Sequence, residues 1–136
     1  ERNITKISDA IAGLPKQKVF WISWHDPLMS AGGPSWINAL IQAAGGENIF
    51  NDVNIAWPTV SPEEVLIRNP DVILFSEGHP GISNVNDLLK LFPAWAETKA
   101  VKEGKVFAVP EFVIRPGPRV AEAVKIFAKL IYGIEI

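Results

Sequence analysis

Two histidines, His25 and His79, are the chain's whole complement of imidazoles, and each lies a few residues past an apolar run of strand length. If both runs are parallel strands, the two rings stand above the same sheet edge and could converge on a metal. Two imidazoles without a third ligand at a recognisable spacing are a weak metal signature, since loop histidines are more often solvated or hydrogen-bonded. Glu111 and Arg115 stand four apart in "EFVIRPGP", and Asp26 follows His25. These groups suit acid–base work, but no nucleophile stands beside a base, and a local ion pair explains Glu111 and Arg115 equally well. In "WPTVSPEEVL", Ser61 fits an N-cap, Pro62 the first helical position, and Glu64 the far corner of a capping box. That leaves Trp57 and Glu63 without a structural task.

The familiar cofactor signatures are missing: there is no GxGxxG after a strand, no GxxxxGK[ST] and no GxSxG. No cofactor is expected. "SAGGPS" before a helix could hold an anion, but a tight loop accounts for it better. Trp24, Met29, Trp36, Trp57 and Phe112 put large apolar groups in or near the loops. Trp24, at the end of "KVFWISW", is expected in the core. Two or more of the others facing one crevice would make a flat apolar cleft with few polar anchors, better suited to binding a large ligand than to catalysis.

The elements that must position these groups are legible in the periodicity. "KVFWISW", "DVILF" and "KVFAVP" are short apolar runs bounded by turn residues, and read as three strands buried on both faces. Between them, "SWINALIQAAGG" carries Ile37, Leu40, Ile41 and Ala44 on one helical face, with Ser35 as cap and Gly45 as the left-handed stop. "SPEEVLIR" is a helix closed by Asn69-Pro70, "VNDLLKLF" a short helix, and "AWAETKAVKEG" a helical connection. The last helix turns Val120, Val124, Phe127 and Ile131 to one side, and Glu122, Lys125 and Lys129 to the other. Strands alternating with helices give an α/β class with a mainly parallel sheet flanked by helices. Ligands of such sheets bind outside the carboxyl ends of the strands. This selects residues 25–34, 76–83 and 110–118, joined by the loop of Trp57.

Composition narrows the partners. A net charge of -2 and a pI near 5.7 give no basic field for nucleic acid. There is no cysteine, hence no disulfide, thiolate metal ligand or thiol catalysis. No apolar run approaches the ~20 residues that span a bilayer. The first fourteen residues, with Ile4, Ile7, Ile11 and Leu14 at helical spacing and no N-cap, read as an amphipathic helix, either one entering from upstream or an ordinary N-terminal helix with a frayed start.

"AGGENIF" followed by "WPTVSPEEVLIRNPDVILF", then "AVKEGKVFAVP" and "RPGPRVAEAV", resembles the C-terminal lobe of the substrate-binding proteins that serve ABC importers of cobalamin, haem and iron-siderophore complexes. The resemblance runs from about Lys18 to Ile131 and is strongest to the cobalamin binders. It implies a two-lobed protein of Rossmann-like α/β units joined by a long helix, residues 1–14 being that helix's end and residues 15–136 the lobe. The first lobe would then be missing from this chain. It also implies a location in the periplasm, or tethered to the outer face of the cytoplasmic membrane. Residue by residue, Trp57 matches the tryptophan lining the cleft, and Met29 takes the place of an aromatic that packs on the corrin. Glu111 and Arg115 match the acid and arginine that reach the ligand's polar groups. Glu63 matches the glutamate that docks on permease arginines. Met for an aromatic, and Glu111 for the usual Asp, leave the ligand's identity open. With Tyr132 the sole tyrosine, a haem ligand from this lobe would be His25 or His79. Two other readings stand beside this one: an enzyme half-site using Asp26, His25 and Glu111, and a metal-handling lobe, favoured if His25 and His79 are close in space.

Overall fold

Lys18–Ile22 (β1) alternates its side chains between two apolar layers, and this one strand explains the architecture. Val19 and Trp21 point into a cluster with Ile37, Leu40, Val124 and Phe127, whereas Phe20 and Ile22 point into another with Phe50, Val65, Leu88 and Trp95. All four are buried to within 2% of full enclosure. A strand buried on both faces needs helices on both sides, which is the three-layer arrangement the continuous apolar runs imply. The computed structural model describes residues 17–25, 27–77, 79, 81–110 and 120–132. The N-terminal helix expected over residues 1–14, and with it the division of the chain at residue 15, lies outside them.

After β1 the chain runs through Trp24–His25 (β2), Leu28–Met29 (β3), Trp36–Ala43 (α1), Glu47–Asn48 (β4), Pro62–Arg68 (α2) and Val72–Ser76 (β5). Val85–Leu91 (α3), a 3-10 turn at Pro93–Glu97, Lys99–Lys102 (α4), Val106–Val109 (β6) and Val120–Tyr132 (α5) complete it. The sheet order is β4-β1-β5-β6, with every pairing parallel. β1 and β5 are hydrogen-bonded neighbours in register from Val19 opposite Val72 to Ile22 opposite Phe75. Their carboxyl ends therefore open side by side.

The helix boundaries follow their caps. Ser35 Oγ accepts from Asn38 N at 3.0 Å and starts α1; Ser61 Oγ accepts from Glu64 N at 3.0 Å and starts α2. Asn69, with φ of 48°, ends α2 in the left-handed region that asparagine tolerates, and the following proline keeps the helix from continuing. Three sheet strands are expected from the sequence; among the described residues the parallel sheet has four, and β2 and β3 pair separately. The fourth, β4, is two residues long at the sheet edge beside Lys18 and Val19, too short to carry an apolar pattern. Tyr132 is structural: its hydroxyl donates to Gly45 O at 2.6 Å, tying α5 to the end of α1.

Candidate functional site

Beyond Ile22 the chain leaves the sheet. Ser23 N donates to Met29 O at 2.9 Å, and β2 pairs antiparallel with β3, Trp24 opposite Met29 and His25 opposite Leu28. This overturns the expected core position of Trp24. It is 39% exposed, because the apolar run bends out at Ser23 and places the indole above the strand ends.

The exposed indole covers the two histidines. Its ring lies 4.9 Å from that of His25 and 5.5 Å from that of His79, centroid to centroid. His25 Nδ1 and His79 Nε2 stand 3.1 Å apart, although the residues are 54 positions apart in sequence. β1 and β5 bring them together: His25 follows one strand, and His79 follows its neighbour in a turn held by His79 N to Ser76 O and Ile82 N to His79 O. Gly81, with φ of +83°, closes this turn where a side chain would meet the His25 ring. His79 is 8% exposed. Burial, reinforced by the neighbouring His25, pushes its pKa below the ordinary value of 6.5, so the ring is neutral at pH 7. The proximity on which the metal-handling reading depended is thus present.

A second group of candidates is assembled by backbone hydrogen bonds between two loops. Val60 N donates to Leu28 O, Ser30 N to Pro58 O, Gly32 N to Ala56 O and Gly33 N to Val53 O, all within 3.0 Å, and Met29 bridges to Thr59. This pairing seats Trp57 next to the segment of Met29. Trp57 is 41% exposed and Met29 half-buried. Gly32 and Gly33 are required by closeness: a Cβ on Gly32 would stand 1.9 Å from Ile55 O, and one on Gly33 2.7 Å from Asn51 O. "SAGGPS" is accordingly a site of close backbone approach. Ser35 Oγ, accepting from Asn38 N and donating to Gly32 O at 2.7 Å, fills the helix start that an anion would use. Ser30, fully buried, donates from Oγ to Trp21 O at 2.7 Å and pins the segment to β1.

The neighbouring carboxylates of α2 have different surroundings. The expected capping box is formed only on the Ser61 side, since the Glu64 carboxylate turns down the helix to Arg68 Nε at 2.8 Å. Arg68 also donates to Ile49 O and Asp52, and its guanidinium lies 4.8 Å from the Phe50 ring centre. The hydrogen bond from Arg68 holds the Asp52 carboxyl below its ordinary pKa, and bonds to Asp52 and Glu64 raise that of Arg68. Glu64 thereby braces α2 against the loop that leads to Trp57. Glu63 is exposed, enters none of the ion pairs among the described residues, and borders a groove of about 310 Å³ lined by Pro62, Leu66, Leu91, Phe92 and Trp95. Trp95 Nε1 donates to Pro62 O at 3.0 Å and fixes the helix start that presents Glu63.

The structure thus brings His25, His79 and Trp24 together, and separately sets the loop of Trp57 beside the segment of Met29. Asp26, Glu111, Phe112 and Arg115 lie outside the described residues. The sequence reading missed Trp24 as a surface group; Ser23, the one polar residue inside the apolar run, is the signal that marked the bend. Among the described residues no three metal-ligating side chains gather, and no helix is long and apolar enough to cross a membrane.

The family described as "Periplasmic binding protein" matches residues 1–112. A vitamin B12-binding protein of Salmonella paratyphi A is 31% identical over 117 residues, which are 84% of this chain and 40% of that protein. Among solved structures, a possible iron-binding periplasmic solute-binding protein from Staphylococcus epidermidis is similar with a TM-score of 0.83 at 30% identity, over 96% of this chain and 51% of that one. A periplasmic heme-binding protein from Roseiflexus sp. has a TM-score of 0.83 at 27% identity, over 97% and 52%. The chain therefore spans about half or less of the proteins it matches.

Proposed function

The chain belongs to the periplasmic binding protein family, and from that premise we propose that it is the C-terminal lobe of a two-lobed protein that holds a corrinoid or iron chelate between its lobes and delivers it to an ABC importer. The observation that carries this reading is Trp57, a large aromatic left 41% exposed on a loop whose backbone is hydrogen-bonded into place. A rigid, exposed indole has little to contribute to the apo fold and much to a broad apolar ligand. Coverage of about half of each neighbouring structure supports a missing first lobe. The lobe would work in the periplasm, or on the outer face of the membrane if tethered. Its role is binding rather than catalysis.

Within this reading Trp57 and Met29 line the apolar part of the cleft, and Glu111 and Arg115 reach the ligand's polar groups. Glu63 meets a cationic patch on the permease, its apolar groove alongside. The decisive test is Trp57→Ala in the full-length protein. Truncating an aromatic binding anchor costs about 2 kcal/mol or more, roughly a thirty-fold loss of affinity. Binding of cobalamin or an iron chelate should fall by that factor while apo thermal stability holds. A collapse of stability with unchanged affinity would make Trp57 a packing residue and remove the support for the cleft.

A further inference from the structure

We propose that Arg68 is a positioning residue for the ligand cleft: its guanidinium ties the loop that carries Trp57 to the last turn of α2 and thereby fixes where the indole stands. The inference rests on the cleft proposed above and adds to it a residue that acts through the loop rather than on the ligand.

The loop needs such a tie. Between β4 and α2, residues 49–61 form neither helix nor sheet strand, with one isolated bridge at Thr59. A stretch of this length keeps one conformation only where it is pinned, because ordering each residue costs backbone entropy. Backbone bonds to the segment 28–33 hold residues 53–60 from one side. Arg68 holds the start of the loop from the other side. Its guanidinium donates to Ile49 O at 2.5 Å, to Asp52 Oδ1 at 2.8 Å and, through Nε, to Glu64 Oε2 at 2.8 Å. Ile49 N in turn donates to Val19 O, so one side chain joins the sheet edge, the loop and the helix.

The contacts call for a guanidinium and not merely a positive charge. Exposed ion pairs contribute little by themselves. Arg68 differs from them: its side chain is 29% exposed, one of its acceptors is a main-chain carbonyl, and its guanidinium lies 4.8 Å from the centre of the Phe50 ring. Phe50 is itself buried, edge-on to Phe20 in the core. Three acceptors on three segments, with a ring beneath, suit a planar fork of donors; the compact ammonium of lysine does not replace it. Asp52 adjoins Val53, whose carbonyl accepts from Gly33 N, so releasing Asp52 loosens the loop where its registration against the segment 28–33 begins. A loosened loop must be ordered again when ligand binds, and that cost is subtracted from affinity.

The test uses the full-length protein labelled with 5-fluorotryptophan, the Trp57 signal being assigned with Trp57→Phe, and calorimetric titration of cobalamin, at a temperature where every variant is folded. Arg68→Met should shift and broaden the Trp57 fluorine signal and leave that of Trp21, in the opposite apolar layer, in place. Cobalamin binding should weaken by about three- to tenfold, part of the loss expected for removing the indole itself. Arg68→Lys should behave as Arg68→Met does. Val124→Ala, which opens a cavity in the layer of Trp21, is the control for lost stability: it should lower the melting temperature and leave the Trp57 signal and cobalamin affinity unchanged. Should Arg68→Met fail to fold, Arg68→Lys and Asp52→Ala carry the same reading. The fluorine signal needs no ligand, so it decides the placement of the indole whichever chelate the cleft takes. An unmoved Trp57 signal in the Arg68 variants would reduce Arg68 to a brace of α2 and overturn the proposal. Full rescue by lysine would overturn it too, since charge alone would then suffice. Weakened binding in Trp57→Ala with Arg68→Met unaffected sinks only this inference; a displaced Trp57 signal in Arg68→Met with wild-type affinity in Trp57→Ala sinks only the cleft.

Discussion

Gly32→Ala tests whether the contact between two loops, rather than the sheet, sets the position of Trp57. The added Cβ would stand 1.9 Å from Ile55 O and 2.8 Å from Val53 O. Both obstacles are backbone, so no rotamer change relieves them, and residues 53–57 must withdraw by roughly 1 Å or more. That displacement strains the hydrogen bonds from Gly32 N to Ala56 O and from Gly33 N to Val53 O. Overpacking of this kind typically costs about 1 to 3 kcal/mol. Because the core clusters on either side of β1 do not include these loop residues, except for Val53 at the margin of one, the variant should still unfold cooperatively. Its ligand affinity should fall as Trp57 leaves its place, toward the roughly thirty-fold loss of Trp57→Ala itself. Urea unfolding and ligand titration on the same preparation separate the two effects. Wild-type values in both would refute the claim that the close approach at Gly32 positions the site. Destabilisation with wild-type affinity would detach Trp57 from the ligand.

Asn48, 1% exposed, donates to Ala31 O and accepts from Phe50 N; Asn48→Ala leaves both partners unmet and should cost about 2 kcal/mol or more by chemical denaturation. The depressed pKa of His79 makes the unfolded chain the better proton acceptor as pH drops below 6.5, so its contribution to stability is full above 6.5 and is lost as pH falls toward the folded-state pKa. His79→Gln should flatten that part of the melting temperature profile, and a slope identical to wild type would show that another group titrates there. Glu63→Arg should slow salt-sensitive docking on the permease and leave ligand affinity unchanged; equal transport at low ionic strength would reduce Glu63 to a helix-start residue.

The parts of the fold that were legible in the sequence are those fixed by local chemistry. Ser35, Ser61 and Asn69 bound their helices where their side chains and φ preferences require. The consecutive apolar residues 19–22 of β1 and 72–75 of β5 could only belong to a sheet covered on both faces. What was not legible depends on distant partners. The apolar run to Trp24 looks continuous because hydrophobicity does not reveal that Ser23 turns toward Met29. β4 exists because Lys18 and Val19 offer it an edge, not because Glu47 and Asn48 favour a strand. The His25–His79 approach depends on β1 and β5 being neighbours, a fact of strand order that each loop's own sequence leaves unstated.

The two carboxylates at the start of α2 show how a local motif can be right in position and incomplete in purpose. A capping box gives Glu64 a duty to Ser61, and the helix dipole offers Glu63 and Glu64 the same modest stabilisation, about 0.3 to 1 kcal/mol. Arg68 breaks that equivalence. One helical turn below Glu64, it draws that carboxylate inward at 2.8 Å and extends the contact to Asp52 and Ile49 O, so Glu64 serves the chain's own scaffold. Glu63 points to solvent beside an apolar groove, on a helix start fixed by the Trp95 indole. A carboxylate on a fixed helix start, in none of the ion pairs among the described residues, has no such pair to break when a cation arrives, a condition under which a rim carboxylate sets the register of an encounter. Exchanging the two roles provides the sharpest comparison. Glu64→Gln should lower stability through Arg68 and spare docking, while Glu63→Gln should spare stability and weaken docking. Equal effects of both changes on both measurements would mean that the helix dipole alone accounts for the pair.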